Sequence, residues 1–370
     1  MAGFVPPPYP YDRLNELKPM AGAHEGGVVD LSIGTPFDAP PAMVTDALAA
    51  SGTERSYPPS IGTGPFREAA AGWLNRLVGS SIGADDVRAT IGSKEFVAGL
   101  PHWLKLRTPS KDTILYPAIS YPSYEMGATL AGCRAVPVPV DSQWRLDLSA
   151  ISDDDAARAL CLWINSPGNP AGGLEDLAAA AEWGRSRGVL VASDECYVAF
   201  TWDGEPQSIL SSGTEGVLAV HSLSKRSNFA GGRSGFYAGD PDVVHYLGEL
   251  RKHAGFMQPG PAQAAAVAAF GDEAHVEVQR KRYHDRLVLM RQIVSLMGAE
   301  AVMPGGGFYL WVPAPDGDAW AFTRKLASEA GILVSPGEFY GEAGSGHVRI
   351  AVVQPDELLA MAAKRVGITV

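Results

Sequence analysis

Short apolar runs alternate with amphipathic stretches between residues 87 and 240. The apolar runs predict strands at VRATI (87–91), TILYP (113–117), RAVPVPV (134–140), ALCLWIN (159–165), VLVASD (189–194), VLAVHS (217–222) and GFYAG (235–239). Between several of these runs, apolar residues recur every three to four positions, which predicts helices over residues 95–106, 121–130 and 174–187. Strands alternating with helices are typical of βαβ units, so we predict a large α/β body whose sheet is mainly parallel or mixed.

The pattern changes after Pro261. A long helical stretch over 273–297 is followed by AVMPGGGFYLWV (301–312), a helix near 320–330, and strands at ILVSP (332–336) and HVRIAVV (347–353). We therefore expect a small α+β domain over 263–370 and a large domain over 45–262. The Pro- and Gly-rich segment 1–44 is expected to belong to the small domain and to cross the cleft.

Composition narrows the function classes. The chain has 370 residues, of which 46% are hydrophobic and 19% charged, as in a compact globular protein. The formal net charge of -11 argues against nonspecific nucleic-acid binding, so any anion site must be local.

Targeting and metal signals are missing from the sequence. Three cysteines without CxxC spacing favour a reducing compartment, and the first residues lack the pattern of a signal peptide. No apolar run reaches the roughly 18 residues of a membrane span. We expect a cytoplasmic protein without a membrane or nucleic-acid partner, and the eight histidines show no metal-binding spacing.

In sheets of this kind, ligands gather where strands end. Lys225 comes just after the run that ends at Ser222, and a lysine is nucleophilic when burial or a nearby cation lowers its pKa. Arg233 could supply that cation and a fork of donors for a phosphate. We expect Gly231 and Gly232 to provide the permissive backbone that turns the arginine inward. The alternative is an ordinary surface lysine.

Two earlier strand ends carry polar residues. Asn169 lies in the loop NSPGNPAGG (165–173), where it could bind a ligand oxygen or serve its own turn. The next strand runs into Asp194, which could cap a helix or pair with a ring nitrogen, and Tyr197 could face the same cleft.

A third junction, at Gly92, Ser93 and Lys94, joins a predicted strand to a predicted helix. Free backbone N–H groups and the helix dipole make such a junction suitable for phosphate. Ser93 could instead be a plain helix cap, and Lys94 is the rival nucleophile.

The motifs GSK (92–94), YPSY (121–124), NPAG (169–172), DECY (194–197) and SLSK (222–225), followed by Arg233, occur in this order. Together they resemble the fold-type I aminotransferases that use pyridoxal 5′-phosphate (PLP). SIGTPFDAP (32–40) and HVRIAVV (347–353) extend the resemblance over nearly the whole chain. It implies that family's fold, a mainly parallel seven-stranded sheet between helices with a smaller α+β domain.

The resemblance implies roles around the cofactor ring. Lys225 would form the covalent link to the cofactor and later move the substrate proton. Asp194 would pair with the pyridinium nitrogen and keep the ring an electron sink. Asn169 and Tyr197 would hold the phenolic oxygen, and Tyr121 would stack on the ring.

The resemblance also implies a phosphate site and a dimer. Ser93 and Lys94 would bind the phosphate through backbone N–H groups, and Ser222 and Arg233 through side chains. Tyr57 would reach the phosphate from the second subunit, which implies a homodimer with shared active sites.

At the substrate end, the resemblance implies that Arg349 grips the α-carboxylate, with Gly34 and Asn169 beside it. The expected substrates are small amino acids and 2-oxo acids. A PLP-dependent lyase of the same fold and a noncatalytic PLP-binding regulator are the alternatives, and the net acidity disfavours the regulator.

The segments FVPPPYPYDRL (4–14) and HAGFMQPGPAQAA (253–265) are most similar to actinobacterial N-succinyldiaminopimelate aminotransferases. That similarity implies glutamate and 2-oxoglutarate as the amino donor and acceptor pair, in lysine biosynthesis. Specificity for aspartate or aromatic amino acids stays open. A second cation is expected at the distal end of the pocket, and the sequence does not identify it.

Overall fold

The computed structural model of the protein describes residues 4–369. Its strands, in chain order, are β1 (Val29–Asp30), β2 (Val87–Ile91), β3 (Thr113–Pro117), β4 (Arg134–Val138), β5 (Ala159–Asn165), β6 (Leu190–Asp194), β7 (Val217–Ser222), β8 (Ser234–Gly239), β9 (Tyr309–Pro313), β10 (Ile332–Leu333), β11 (Ser335–Pro336) and β12 (His347–Ala351).

The large sheet has seven strands in the order β2-β8-β7-β6-β5-β3-β4. Strand β8 is antiparallel to both of its neighbours, and the remaining pairs are parallel. The seven predicted strands are these seven, with ends displaced by at most two residues. The α/β fold with a mainly parallel seven-stranded sheet is therefore confirmed.

Helices cover the sheet and build the smaller unit. They are α1 (Lys18–Gly22), α2 (Ala42–Ala49), α3 (Gly64–Val78), α4 (Ser93–Arg107), α5 (Ser123–Leu130), α6 (Asp153–Arg158), α7 (Leu177–Arg187), α8 (Leu223–Arg226), α9 (Pro241–His253), α10 (Gly260–Gly271), α11 (Ala274–Leu296), α12 (Ala319–Lys325) and α13 (Asp356–Arg365). Within residues 4–369, none of these helices is both long and apolar enough to cross a membrane.

Helix ends follow local capping chemistry. The Asp176 side chain accepts a hydrogen bond from Ala179 N, and Gly188 ends α7 in the left-handed conformation. Helix α7 therefore begins at Leu177, three residues after the predicted start. The predicted helix near 320–330 is α12 followed by a wider helical turn over Leu326–Ala330.

The large sheet is buried on both faces, which explains its continuous apolar strands. In β5, Leu162 and Ile164 pack into one apolar cluster, whereas Cys161 and Trp163 pack into the cluster on the opposite face.

A second sheet has the order β11-β12-β9 and is antiparallel. It packs on α11 and α13 around a core of its own. Strand β1 pairs in parallel with β10, so the N-terminal segment is joined to this smaller unit. The division at residues 44 and 262 stays a prediction.

Candidate active site

The strand ends that carry the motifs lie side by side at one edge of the large sheet. Asn165 pairs with Asp194 at the ends of β5 and β6, and Ser222 at the end of β7 pairs with Gly235 in β8. At the start of β8, Ser234 pairs with Ile91, the last residue of β2. Residues far apart in the sequence therefore meet at this edge.

Lys225 is held on the short helix α8 just beyond β7. Ser222 caps this helix, because its hydroxyl accepts a hydrogen bond of 3.1 Å from Ser224 N. The Lys225 amine donates to the carbonyl oxygen of Gly34, in the N-terminal segment. The N-terminal segment thus contacts the lysine.

The environment favours the neutral form of the Lys225 amine. Burial lowers the pKa of Lys225 to about 8, and the positive charge of Arg349 acts in the same direction. Cys196 and Asp194 oppose the shift without reversing it. An amine with this pKa is partly neutral near pH 7, as a nucleophile requires.

Asp194 is a buried carboxylate, 6% exposed, with neutral hydrogen-bond donors. The Tyr124 hydroxyl donates to Oδ2 at 3.1 Å, and Cys196 N donates to Oδ1 at 3.2 Å. Burial raises the pKa of Asp194, and these hydrogen bonds oppose the rise. A cation such as a protonated pyridine nitrogen would compensate this carboxylate, so the residue fits the ring of PLP.

Arg233 lies against the N-terminus of α4. Its guanidinium donates to Ile91 O at 3.3 Å and to Ala230 O at 2.9 Å. A Cβ at Gly92 would overlap this guanidinium, and Gly92 has a φ of 72°, so glycine is required there. The backbone of Ser93 follows directly. A guanidinium beside free helix N–H groups fits a phosphate.

The expected role of the two glycines before Arg233 is wrong. Gly231 and Gly232 do not have positive φ; the left-handed residue is Arg233 itself, with a φ of 49°. Gly232 is needed for a different reason, because a Cβ there would overlap the ring of Phe229.

Arg349 lies in β12, opposite the lysine, and is only 2% exposed. It donates to Asn169 Oδ1 at 2.9 Å and to Ser32 O at 2.6 Å. The rings of Tyr309 and Tyr340 both pack against it, with centroids 4.4 and 4.6 Å from the guanidinium carbon. A guanidinium fixed in this way can orient a carboxylate next to the Lys225 amine.

Tyr121 and Lys94 lie at the mouth of the site. Lys94 Nζ is 5.9 Å from the Tyr121 ring centroid and 6.0 Å from that of Tyr9. The Lys94 side chain is exposed and points toward the N-terminal segment, whereas the deeper Lys225 has the lowered pKa. The geometry thus favours Lys225 as the nucleophile.

Tyr57 lies outside this group of residues in its own chain and is 92% exposed. Tyr197 is buried, and its hydroxyl is 2.8 Å from that of Tyr309. Sequence reasoning assigned no role to Tyr124, and it overlooked Tyr309. The only signal for Tyr309 was its spacing of two residues from Trp311, which puts the two side chains on the same face of β9. Trp311 pairs with Arg349, so both aromatic residues lie on the face of the small sheet that carries the arginine.

Comparison with known proteins agrees with this geometry. The family described as aminotransferase class I and II matches residues 26–366. The 4-dedimethylamino-4-oxo-anhydrotetracycline transaminase of Streptomyces rimosus is 42% identical over 97% of this chain and 98% of that protein. A probable aminotransferase of Mycobacterium tuberculosis is 41% identical over 97% of this chain and 85% of that protein. The structure of a probable N-succinyldiaminopimelate aminotransferase from Thermus thermophilus superposes with a TM-score of 0.86, at 31% identity, over 96% and 98% of the two chains.

Proposed function

Because this chain belongs to the class I and II aminotransferases and is a PLP-dependent transaminase, we propose that it transfers the amino group between glutamate and the 2-oxo acid of N-succinyldiaminopimelate. The reaction would serve lysine biosynthesis. The likeness to the probable N-succinyldiaminopimelate aminotransferase supports this choice of substrate.

The residues present fit the cofactor. Lys225 would hold it covalently, Asp194 would face the ring nitrogen, and Asn169 and Tyr197 would hold the phenolic oxygen, with Tyr121 on the ring face. Ser93, Lys94, Ser222 and Arg233 would hold the phosphate. When bound, PLP supplies an electron sink that stabilises negative charge on the substrate α-carbon.

The chain's own residues would perform the remaining steps. The Arg349 guanidinium binds the substrate α-carboxylate and directs the α-carbon toward Lys225. In its neutral form, the Lys225 amine removes the α-proton, and it returns the proton after the electrons have shifted. The buried Asp194 carboxylate, oriented by Tyr124, keeps the opposite end of the site negative.

One observation carries the choice of an acidic substrate: two cations act on Tyr9. Lys94 Nζ is 6.0 Å from the Tyr9 ring centroid. Burial raises the pKa of Tyr9, and the positive charges of Lys94 and Arg349 both oppose that rise. Arg349 would take the α-carboxylate and Lys94 the distal carboxylate of a long diacid.

The test is a half-reaction screen that follows the visible absorption of the enzyme-bound cofactor on mixing with amino donors. We expect glutamate and succinylated diaminopimelate to abolish this visible absorption band. Lys94→Gln should raise the concentration of succinylated donor needed for half-saturation about two- to fivefold, because an exposed ion pair contributes modestly to binding. The concentration of alanine needed for half-saturation should not change. Lys252→Gln, an exposed lysine of α9, is the matched control. If neither acidic donor discharges the band, the proposed substrate is wrong.

A second candidate has its own support. The Streptomyces rimosus relative is named for a tetracycline-type ketone, and Tyr9, Tyr11 and Tyr121 give the mouth of this site aromatic faces that suit flat rings. This function would be selected if a polycyclic aromatic amine abolished the visible absorption band and neither acidic donor changed it.

We further propose that the protein is a homodimer in which Tyr57 of each subunit completes the other subunit's phosphate site. The 92% exposure of Tyr57 in its own chain supports this. Light scattering should give twice the chain mass, and Tyr57→Phe should weaken PLP binding with the dimer intact. A monomer that binds PLP normally would contradict the proposal.

A further inference from the structure

Tyr309 is buried at the point where the cofactor residues meet the carboxylate clamp. It is 1% exposed, its hydroxyl is 2.8 Å from the Tyr197 hydroxyl, and its ring faces the Arg349 guanidinium. A Cβ at Gly34 would overlap the Tyr309 hydroxyl, so the phenol is pressed against the backbone that accepts from Lys225.

The directions of the hydrogen bonds follow from counting protons. Each phenol has one proton to donate. If Tyr197 donates its proton to the phenolic oxygen of the cofactor, the bond between the two hydroxyls can form only with Tyr309 as donor. A donor to the Tyr197 oxygen strengthens the hydrogen bond that Tyr197 itself donates.

We propose that Tyr309 is a positioning residue with two separable parts: its hydroxyl donates to Tyr197, and its ring supports the Arg349 guanidinium. This inference depends on the proposed function at one point only, the role of Tyr197 in binding the phenolic oxygen of the cofactor. The hydroxyl would stabilise the anionic form of the cofactor's phenolic oxygen, and the ring would hold the clamp in the orientation that a carboxylate needs.

The chain offers a matched control in a second tyrosine that packs against the same arginine. The Tyr340 ring is 4.6 Å from the Arg349 guanidinium carbon, but its hydroxyl bonds to that of Tyr11 at 2.8 Å instead of to Tyr197. Removal of either hydroxyl leaves a ring on the guanidinium. Only removal of the Tyr309 hydroxyl disturbs the bond to Tyr197.

The first experiment titrates the visible absorption of the holoenzyme with pH, without substrate. Tyr309→Phe should raise the apparent pKa of the chromophore by about 0.1 to 0.5 unit, because only the cooperative strengthening of the bond that Tyr197 donates differs between the two protonation states. Tyr340→Phe should leave it unchanged. Tyr197→Phe should give a larger rise, and Tyr309→Phe in the Tyr197→Phe background should add nothing, because the two hydroxyls act through one bond. An unshifted Tyr309→Phe titration, or shifts that add, would overturn the inference.

The second experiment measures the contribution of the Tyr309 ring to carboxylate binding. A nonreactive dicarboxylate such as maleate should bind Tyr309→Phe as it binds the wild type, and Tyr309→Leu about fivefold more weakly, from a lost buried cation–π contact. Equal maleate affinities for the three proteins would show that the ring does not support the Arg349 guanidinium. Since the titration involves no substrate, a failed donor screen leaves it intact, so the failure of this inference is distinguishable from that of the proposed function.

Discussion

Arg226, the residue after the proposed nucleophile, has a structural role, and its contribution to the free energy of unfolding can be estimated. Its guanidinium is 2% exposed and donates to Ala269 O at 2.6 Å and to Asp272 O at 3.0 Å, at the C-terminus of α10. It lies over the rings of Trp73 and Phe270, at 5.1 and 5.8 Å. Arg226 therefore ties α8, and with it Lys225, to the end of α10.

The perturbation is Arg226→Met, which keeps an unbranched apolar stem and removes the donors. Ala269 is fully buried, so its carbonyl would lose its main donor at a cost of about 1–3 kcal/mol. The lost cation–π contacts add about 1–2 kcal/mol because they are desolvated. Asp272 and Glu273 are partly exposed, and water replaces most of their bonds, so they add at most about 1 kcal/mol. We expect a total loss of about 2–6 kcal/mol.

The assay is urea unfolding of the cofactor-free protein, because bound ligand would itself change the apparent stability. Arg226→Lys can satisfy one carbonyl and should lose less than Arg226→Met. Arg324→Met, at an exposed position of α12, is the control and should change stability by no more than about 0.5 kcal/mol. A loss below about 1 kcal/mol for Arg226→Met, with an unchanged denaturant slope, would refute the reasoning.

Three further predictions concern the site. Lys225→Ala should lose both the visible band and the borohydride-trapped cofactor adduct, and an adduct retained on the variant, located by peptide mapping, would exclude Lys225 as the attachment point. The rate at which the cofactor-free protein captures PLP should rise as pH increases through about 8, because the lowered pKa of Lys225 leaves the amine neutral above that value; a rate constant that is flat from pH 6.5 to 9.5 would contradict this. Gly34→Ala should impair PLP capture and carboxylate binding together, since its Cβ would overlap the Tyr309 hydroxyl, whereas Gly64→Ala, which meets open space, should behave as wild type.

Much of the fold was predictable because its signals are local. Strands buried on both faces form continuous apolar runs, and loops break them sharply at Asn165 and Gly92. The order of the strand-end motifs then predicted which residues would gather at the sheet edge. The structure brings Lys225, Asp194, Asn169 and Arg233 there, and their catalytic and binding roles remain proposals.

Other features were not predictable, because they depend on contacts between distant segments. The Tyr309 and Tyr197 hydroxyls meet across 112 positions of sequence, and Arg226 reaches a carbonyl 43 residues away. The φ of 49° at Arg233 was not predicted either, and its guanidinium packs against Gly92, which is 141 positions earlier in the sequence.

The sequence by itself therefore determined the seven strands of the large sheet, the helices with a regular apolar spacing and the residue types at each strand end, since hydrophobic periodicity and chain-breaking residues act over a few positions. Only the tertiary structure decided which side chain donates to which. Contacts between segments far apart in the sequence set the two tyrosine rings against Arg349, the contact between Gly34 and Lys225, and the pairing of two buried tyrosines. Those distances are fixed by the register of β9 and β12 and by the path of the N-terminal segment, which no local pattern encodes.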